Sequence, residues 1–197
     1  ARKKNIPVRF VEKQLAQKQY HLENHQRIIA KIENIPFKPL SLISIETHPI
    51  VVILDHLEDP FNMGAIMRTC EGLGVRTIII PKNRQAPINS GVIKASSGAA
   101  YYLNIIQVSN IAQAVEHCQK IGYWVYATDS EKGSTLDSFD LSAGSVLVLG
   151  NENKGVSKRV NALVDHHIKI EMRGKIQSFN VSVAAGILLY DFVKKIC

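Results

Sequence analysis

The chain has 197 residues and 46% hydrophobic content, enough for one full-sized domain and part of another around a substantial core, without covalent staples. Three cysteines, Cys70, Cys118 and Cys197, lack Cys-x-x-Cys spacing and leave an odd count, which argues against a disulfide framework and a structural zinc site and fits a reducing cytoplasm. A net charge of +7 favours a polyanionic partner, while the lack of a signal-peptide pattern, or of an apolar run near the roughly 20 residues of a membrane span, points to a soluble protein.

Basic residues crowd the start of the chain, where Arg2, Lys3, Lys4, Arg9, Lys13 and Lys18 also fit a plain solvated face. Ala1 is not an initiator Met, and Ile6-Pro-Val-Arg-Phe-Val11 is strand-like with no preceding partner, so the chain reads as one cut in mid-domain. Residues 12–24 read as a polar helix and Ile28 to Ile32 as a second strand. Pro36, Pro39 and Pro49 then punctuate a linker.

From Ile50 onward strands alternate with helices, the mark of an α/β fold with a mainly parallel sheet. Strands are expected at 51–55, 77–81, 103–108, 123–128, 145–149 and 167–171, and helices near 62–73, 88–97, 110–121, 157–164 and 180–195. Val51-Val-Ile-Leu54 and Val146-Leu-Val-Leu149 are continuously apolar, as strands covered on both faces are. The first strand-to-helix turn lacks Gly-x-Gly-x-x-Gly, so a dinucleotide site is unsupported. In that turn Pro60 should end the strand, Asn62 should cap the next helix, Gly64 should allow close backbone approach, and Arg68 falls about one turn past the cap. A helix N-terminus and a fixed cation together make a place for phosphate or ribose.

The last helix, Asn180 to Ile196, is apolar on much of its circumference and carries Ser182, Ala184, Ala185 and Gly186, small residues that suit either another helix or burial within one chain. No histidine has convincing ligand neighbours, and His166 and His167 should project to opposite faces of a strand, so no metal site is expected. Neither a Ser-His-Asp order nor a nucleophile elbow is present to support covalent hydrolysis.

Asn62-x-Gly64-x-x-x-Arg68 resembles the first motif of the SpoU, or TrmH, family of RNA ribose 2′-O-methyltransferases. Leu147-Val-Leu-Gly150-Asn151-Glu152-Asn-Lys-Gly155-Val156 resembles the second, and Ile170-Glu-Met172-Arg-Gly174-Lys-Ile-Gln-Ser178-Phe179-Asn180-Val181-Ser182 the third. Three motifs in order are far more specific than any one. The resemblance implies a SPOUT α/β-knot methyltransferase domain over 47–197 with a C-terminal trefoil knot, which periodicity alone does not reveal. It also implies a homodimer through the knot region and S-adenosyl-L-methionine as cofactor, released as S-adenosyl-L-homocysteine. Asn5-Ile-Pro7-Val8, His25-Gln26 and Ile29-Ala30-Lys-Ile32-Glu33 resemble the latter half of the ribosomal-protein-like α/β RNA-recognition domain found in the ribosomal-RNA branch, although Arg27 stands where Gly is usual. Residues 1–46 are therefore expected to be a partial substrate-binding domain and linker.

Carried over by motif position, Arg68, Asn62, Glu152, Ser178 and Asn180 form the expected catalytic set. Thr128, Gly150, Ile170, Met172, Phe179 and Ser182 form the expected cofactor set. Arg68 is too basic to be a ready proton acceptor, so two roles remain: the preferred one, binding a phosphate or the ribose oxygen and lowering the hydroxyl's pKa, and transient loss of its own proton in a site dominated by other cations. Phe179 replaces the family's common Leu, and Glu171 replaces a common Pro; Glu171 should point to solvent or to a basic group, because a buried lone carboxylate is costly. Each residue alone also fits a plainer role: Asn62 and Asn180 as caps, Glu152 as a loop charge, Arg68 in a surface salt bridge. The stretch from Ile80 to Ala100 resembles the ribosomal-RNA enzymes, and its Lys82, Arg84 and Lys94 are candidate phosphate contacts. The expected activity is therefore 2′-O-methylation of a guanosine in large-subunit ribosomal RNA in the cytoplasm. A transfer-RNA ribose methyltransferase of the same family and an RNA-binding module without catalysis are the alternatives.

Overall fold

Among the described residues seven strands form one sheet in which every pairing is parallel: β1 (Ile50–Asp55), β2 (Thr77–Pro81), β3 (Asn104–Val108), β4 (Trp124–Thr128), β5 (Ser134–Thr135), β6 (Ser145–Gly150) and β7 (His166–Lys169). Their spatial order is β3-β2-β1-β6-β4-β7-β5 in this computed structural model, which describes residues 6–20, 28–31, 34–129 and 132–197. Every residue of β1, β2 and β6 is buried, which explains their unbroken apolar sequences: helices cover both faces. One core, holding Leu54, Ile78, Leu147 and Ile168, is closed by α2 (Pro60–Gly72), α3 (Ser90–Ala95) and α6 (Val181–Ile196). The opposite core, holding Val51, Ile53, Val125 and Val148, is closed by α4 (Ile111–Lys120) and α5 (Lys158–Asn161). Because β6 lies between β1 and β4, the chain reverses its direction of travel there, and a crevice opens beyond the carboxyl ends of the strands.

The six expected strands and five expected helices of this region are all present. β5 has only two residues, too few to carry a periodic signal. The helix expected at 88–97 is α3 followed by a 3-10 turn at Ala99–Tyr102, and α5 is shorter than expected.

Two local expectations at the head of α2 are corrected. β1 ends at Asp55, well before Pro60, and Pro60 is the first residue of the helix, where its missing N–H costs nothing. The cap is Asp59, whose carboxylate accepts from Phe61 N–H at 3.0 Å and Asn62 N–H at 3.3 Å. Asn62 is thereby relieved of capping, and its amide is free to work elsewhere.

Gly64 does allow close approach, but to protein. A Cβ there would overlap the Cβ of Ala95 and lie 2.9 Å from Ser96 N, so α2 and the end of α3 pack through its absence. Gly64→Ala should lower stability by about 1–3 kcal/mol through overpacking, read as a lower denaturant midpoint with an unchanged slope.

Cys70 and Cys118 are buried and unpaired, and burial pushes each thiol up to about 12; Cys197 is exposed. A thiol held that high is almost wholly protonated at neutral pH. Iodoacetamide at pH 8 should therefore modify Cys197 quickly and the other two only upon unfolding, as counted by intact mass.

The chain divides into two units, Ala1–Asn34 and Ile35–Cys197. In the first, α1 (Lys13–Tyr20) stands within the helix expected at 12–24, whose last four positions lie outside the described residues. The two strands expected there are absent from residues 6–11 and 28–31, and position 32 lies outside the described residues. In the second unit, the proline-punctuated stretch is anchored to the sheet: Lys38 N–H donates to Ile105 O at 2.8 Å, and Ile43 is buried in the core beside α4. Among the described residues no helix is long and apolar enough to cross a membrane.

Candidate active site

β6 delivers Gly150 to the crevice, and the next residues fold straight back over it. Asn151 N–H donates to Gly155 O at 3.0 Å and Gly155 N–H to Asn151 O at 2.9 Å, with Gly155 in left-handed backbone at φ 65°. Asn151 Oδ1 accepts from the N–H groups of Asn153 and Lys154, and its Nδ2 donates to His56 O at 2.8 Å. A Cβ on Gly150 would overlap the Gly155 carbonyl carbon and Val156 N, so only glycine fits beneath this loop.

Beside it, β7 runs out through Ile170 and Met172 to Asn180, which caps α6 by accepting from Ser182 N–H at 2.8 Å. The two loops and Thr128 at the end of β4 enclose a cavity of about 730 Å³ with Ala184 and Leu188 among its walls. Its lining includes Thr128, Gly150, Ile170, Met172 and Phe179 of the expected cofactor set and Glu152, Ser178 and Asn180 of the expected catalytic set. Ser182 is not in the lining; its hydroxyl donates to Asn180 Oδ1 at 2.6 Å and so fixes the cap. Glu171 is exposed and lies 3.6 Å from Arg173, the basic neighbour expected for it.

Asn62 joins the three motifs. Its Nδ2 donates to Glu152 Oε1 at 3.1 Å, and its Oδ1 accepts from Asn180 Nδ2 at 3.0 Å. Residues separated by 90 and 118 positions thus share one side-chain amide at the mouth of the cavity. Asn180 is simultaneously a cap and a member of this chain, so its plainer role and its site role coincide.

Arg68 stands apart from that chain. Six residues past Asn62 is about 600° of helix rotation, which leaves the two side chains roughly 120° apart around α2. Its side chain is exposed and makes no hydrogen bond or ion pair with any described residue, so the plainer reading as a surface salt bridge does not hold. Lys82 and Arg84 are exposed beyond the end of β2, and Lys94 is exposed on α3.

The motif reading does not single out Asn151, Asp55 or His56. Asn directly after an apolar strand and Gly is a signal for a side chain that closes a turn on its own backbone, which Asn151 does. Asp55 ends β1 almost fully buried and accepts from Ser157 N–H at 2.7 Å, tying the start of α5 to the sheet; nothing in its local sequence marks that partner.

The cavity has the size of a site for a small organic cofactor, with apolar walls at Leu149, Ile168 and Leu188 and a Gly150 cradle that any side chain would fill. Its polar lining at Glu152, Ser178 and Asn180, two of them held by Asn62 from outside the lining, suits a hydroxyl-bearing substrate. Among the described residues no cluster of His, Cys, Asp and Glu is placed to hold a metal ion.

Comparison with known proteins agrees with this geometry. The chain is 34% identical over 197 residues to the 23S rRNA (guanosine-2′-O-)-methyltransferase RlmB of Pasteurella multocida, covering 96% of this chain and 80% of that protein. It resembles the TrmH/SpoU tRNA modifying enzyme of A. aeolicus, with 32% identity, a TM-score of 0.68 and 75% of each chain covered. It also resembles the SpoU methyltransferase AviRb of Streptomyces viridochromogenes in complex with the cofactor AdoMet, with 27% identity, a TM-score of 0.72 and coverage of 81% of this chain and 65% of that one. The SpoU rRNA Methylase family model matches residues 49–190, the stretch that builds the sheet, the cavity and the Asn62 junction, and the chain belongs to that family.

Proposed function

We propose that the protein transfers a methyl group from S-adenosyl-L-methionine to the 2′-hydroxyl of a ribose, that of a guanosine in large-subunit ribosomal RNA. The observation that carries this reading is the Asn180–Asn62–Glu152 chain at the mouth of a cofactor-sized cavity. The likeness to a ribosomal-RNA guanosine enzyme supports the substrate.

When bound, S-adenosyl-L-methionine supplies an electrophilic methyl on a sulfonium. Gly150, Ile170, Met172 and Phe179 would hold it, with Thr128 at the adenosine end. The protein's own work is then alignment. In-line transfer needs the accepting oxygen held in a near-attack position, and a rim of amides and hydroxyls is suited to hold a ribose. Glu152 fixes Asn62, Asn62 fixes Asn180, and Ser178 stands beside them on the rim. Arg68 holds the phosphate or the oxygen of the target nucleotide and makes the hydroxyl easier to deprotonate.

Arg68 lies on a different face of α2 from Asn62 and outside the cavity lining of its own chain, and the reading includes a homodimer in which α2 and α6 bring Arg68 to a partner's cavity. Val183, Ile187 and Tyr190 support this, because they recur on one exposed face of α6 at 49%, 38% and 59% exposure, with Phe61 exposed on the adjoining α2. We further infer that the C-terminal part of the chain forms a trefoil knot. The SpoU rRNA Methylase family match over residues 49–190 supports this, as does the meeting of the segments 149–156 and 168–181 around one cavity. Residues up to Asn34, with the linker to 46, are read as the end of an RNA-recognition domain. Lys82, Arg84 and Lys94 are read as phosphate contacts, and the workplace as the cytoplasm.

Labelled methyl incorporation into unmodified ribosomal RNA and unmodified transfer RNA, side by side, tests the substrate. Ribosomal RNA should take the label. The likeness to a tRNA modifying enzyme favours one other outcome: label in transfer RNA with silent ribosomal RNA would replace this substrate. Cofactor binding with no incorporation into either would contradict catalysis.

A further inference from the structure

The carboxyl ends of β1 and β2 carry a side-chain cluster that the methyl-transfer reading leaves largely unused. His56 follows β1 and Arg84 follows β2, and both adopt left-handed backbone, at φ 63° and 53°, where residues bearing a Cβ are uncommon. Such strain persists only where surrounding contacts enforce it, and it concentrates at functional positions. The enforcing contacts are plain. Leu57 N–H donates to Gln85 Oε1 at 2.8 Å and Ala86 N–H donates to Leu57 O at 2.8 Å, which staples the two loops together.

Asp55, 1% exposed, uses one carboxylate oxygen for Ser157 N–H and the other for His56 Nδ1 at 2.6 Å. A carboxylate only accepts, so Nδ1 carries the proton, and in the neutral imidazole Nε2 is left as the acceptor. That Nε2 lies 3.5 Å from Arg84 Nη2, and the imidazole remains 25% exposed. The His56 carbonyl accepts from Asn151, so the cluster is bonded directly to the loop that walls the cavity.

We propose that His56 and Arg84 form a nucleotide-reading subsite beside the methyl-transfer cavity, Arg84 holding a phosphate while His56 Nε2 accepts from the ribose 2′-hydroxyl of the same flanking nucleotide. The proposal rests on the RNA reading given above. A guanidinium donates only, in a fork matched to phosphate oxygens. An imidazole with its tautomer fixed presents a single acceptor, and the 2′-hydroxyl is the donor that separates an RNA backbone from a DNA backbone. The gap between the two side chains is too long for a strong mutual bond, so both can turn to a ligand. Lys82, exposed in the same loop, adds positive charge.

The test uses the whole chain with His56→Asn and Arg84→Ala. Asn tolerates left-handed backbone, so His56→Asn keeps the loop while removing Nε2. Binding is read by anisotropy with a short labelled ribosomal-RNA strand and with the same strand carrying 2′-deoxy sugars at every position but the methylated one. The parent should bind the RNA strand about tenfold more tightly than the deoxy strand. His56→Asn should bind the RNA strand about tenfold more weakly and show no preference between the two, with S-adenosyl-L-homocysteine affinity unchanged. Arg84→Ala should weaken both strands and lower the slope of log affinity against log salt by about one. A merely structural role for His56 would move cofactor affinity or melting temperature and leave the ribose preference intact, which would overturn the proposal, as would a parent indifferent to the sugars. A parent that methylates no RNA would defeat the function above; the strand preference needs no turnover and still decides the subsite.

Discussion

Gly150→Ala should lower affinity for S-adenosyl-L-homocysteine by at least about 100-fold, roughly 2.7 kcal/mol, while the protein still folds. The added Cβ would sit 2.6 Å from Gly155 O and would overlap the neighbouring backbone atoms of Gly155 and Val156. Backbone cannot swing aside as a flexible side chain does. The loop is pinned by the paired Asn151–Gly155 hydrogen bonds, by Asn151 on His56 O and by Ser157 on Asp55. Relief therefore requires moving the whole second-motif loop, which carries Glu152 and one wall of the cavity. Isothermal titration gives the affinity, and thermal denaturation of the unliganded variant should show an overpacking cost of about 1–3 kcal/mol. A variant that binds as the parent does would mean that the loop does not sit tightly on the strand.

Arg68→Ala should reduce methyl transfer by about 10³-fold, the scale of losing one preorganised donor to a transition state, and leave cofactor affinity within a few fold. The two effects separate because Arg68 is absent from the cavity lining of its own chain. Its exposure and lack of side-chain partners among the described residues also mean that its removal leaves no buried group there unpaired, so stability should hardly change. Single-turnover transfer to ribosomal RNA and calorimetric titration of the cofactor product are the two readouts. If Arg68 acts across a dimer, mixing Arg68→Ala with Gly150→Ala protein should restore transfer that neither shows alone. Unchanged turnover in Arg68→Ala would remove its assigned role.

Much of the catalytic unit is legible from residue order. β1, β2 and β6 announce themselves as apolar runs because they are buried on both faces, and α6 announces itself by length. The motif residues Glu152, Ser178 and Asn180 line one cavity, and Asn62 is bonded to two of them. What is not legible is partnership. Asp59 and Asn62 are both good caps by chemistry, and only the start of α2 at Pro60 assigns the task to Asp59. Arg68 lies six residues beyond Asn62, nearly two turns on, and so on another face of α2, because a six-residue step does not return to the same side of a helix. Asp55 and His56 look like the ordinary end of a strand until Ser157 and Arg84, far along the chain, arrive beside them. The strands read into residues 6–11 and 28–32 rested on short apolar stretches, and the described residues 6–11 and 28–31 join no sheet, which such short stretches do not hold on their own.

Nucleoside analysis of ribosomal RNA labelled by the protein and a methyl-labelled donor tests the whole account most directly. After complete digestion, the label should elute as a 2′-O-methylated nucleoside, guanosine, and should disappear with Arg68→Ala and with Gly150→Ala. Label on a base, or transfer that survives both substitutions, would contradict a ribose hydroxyl aligned at the rim formed by Asn62, Glu152 and Asn180.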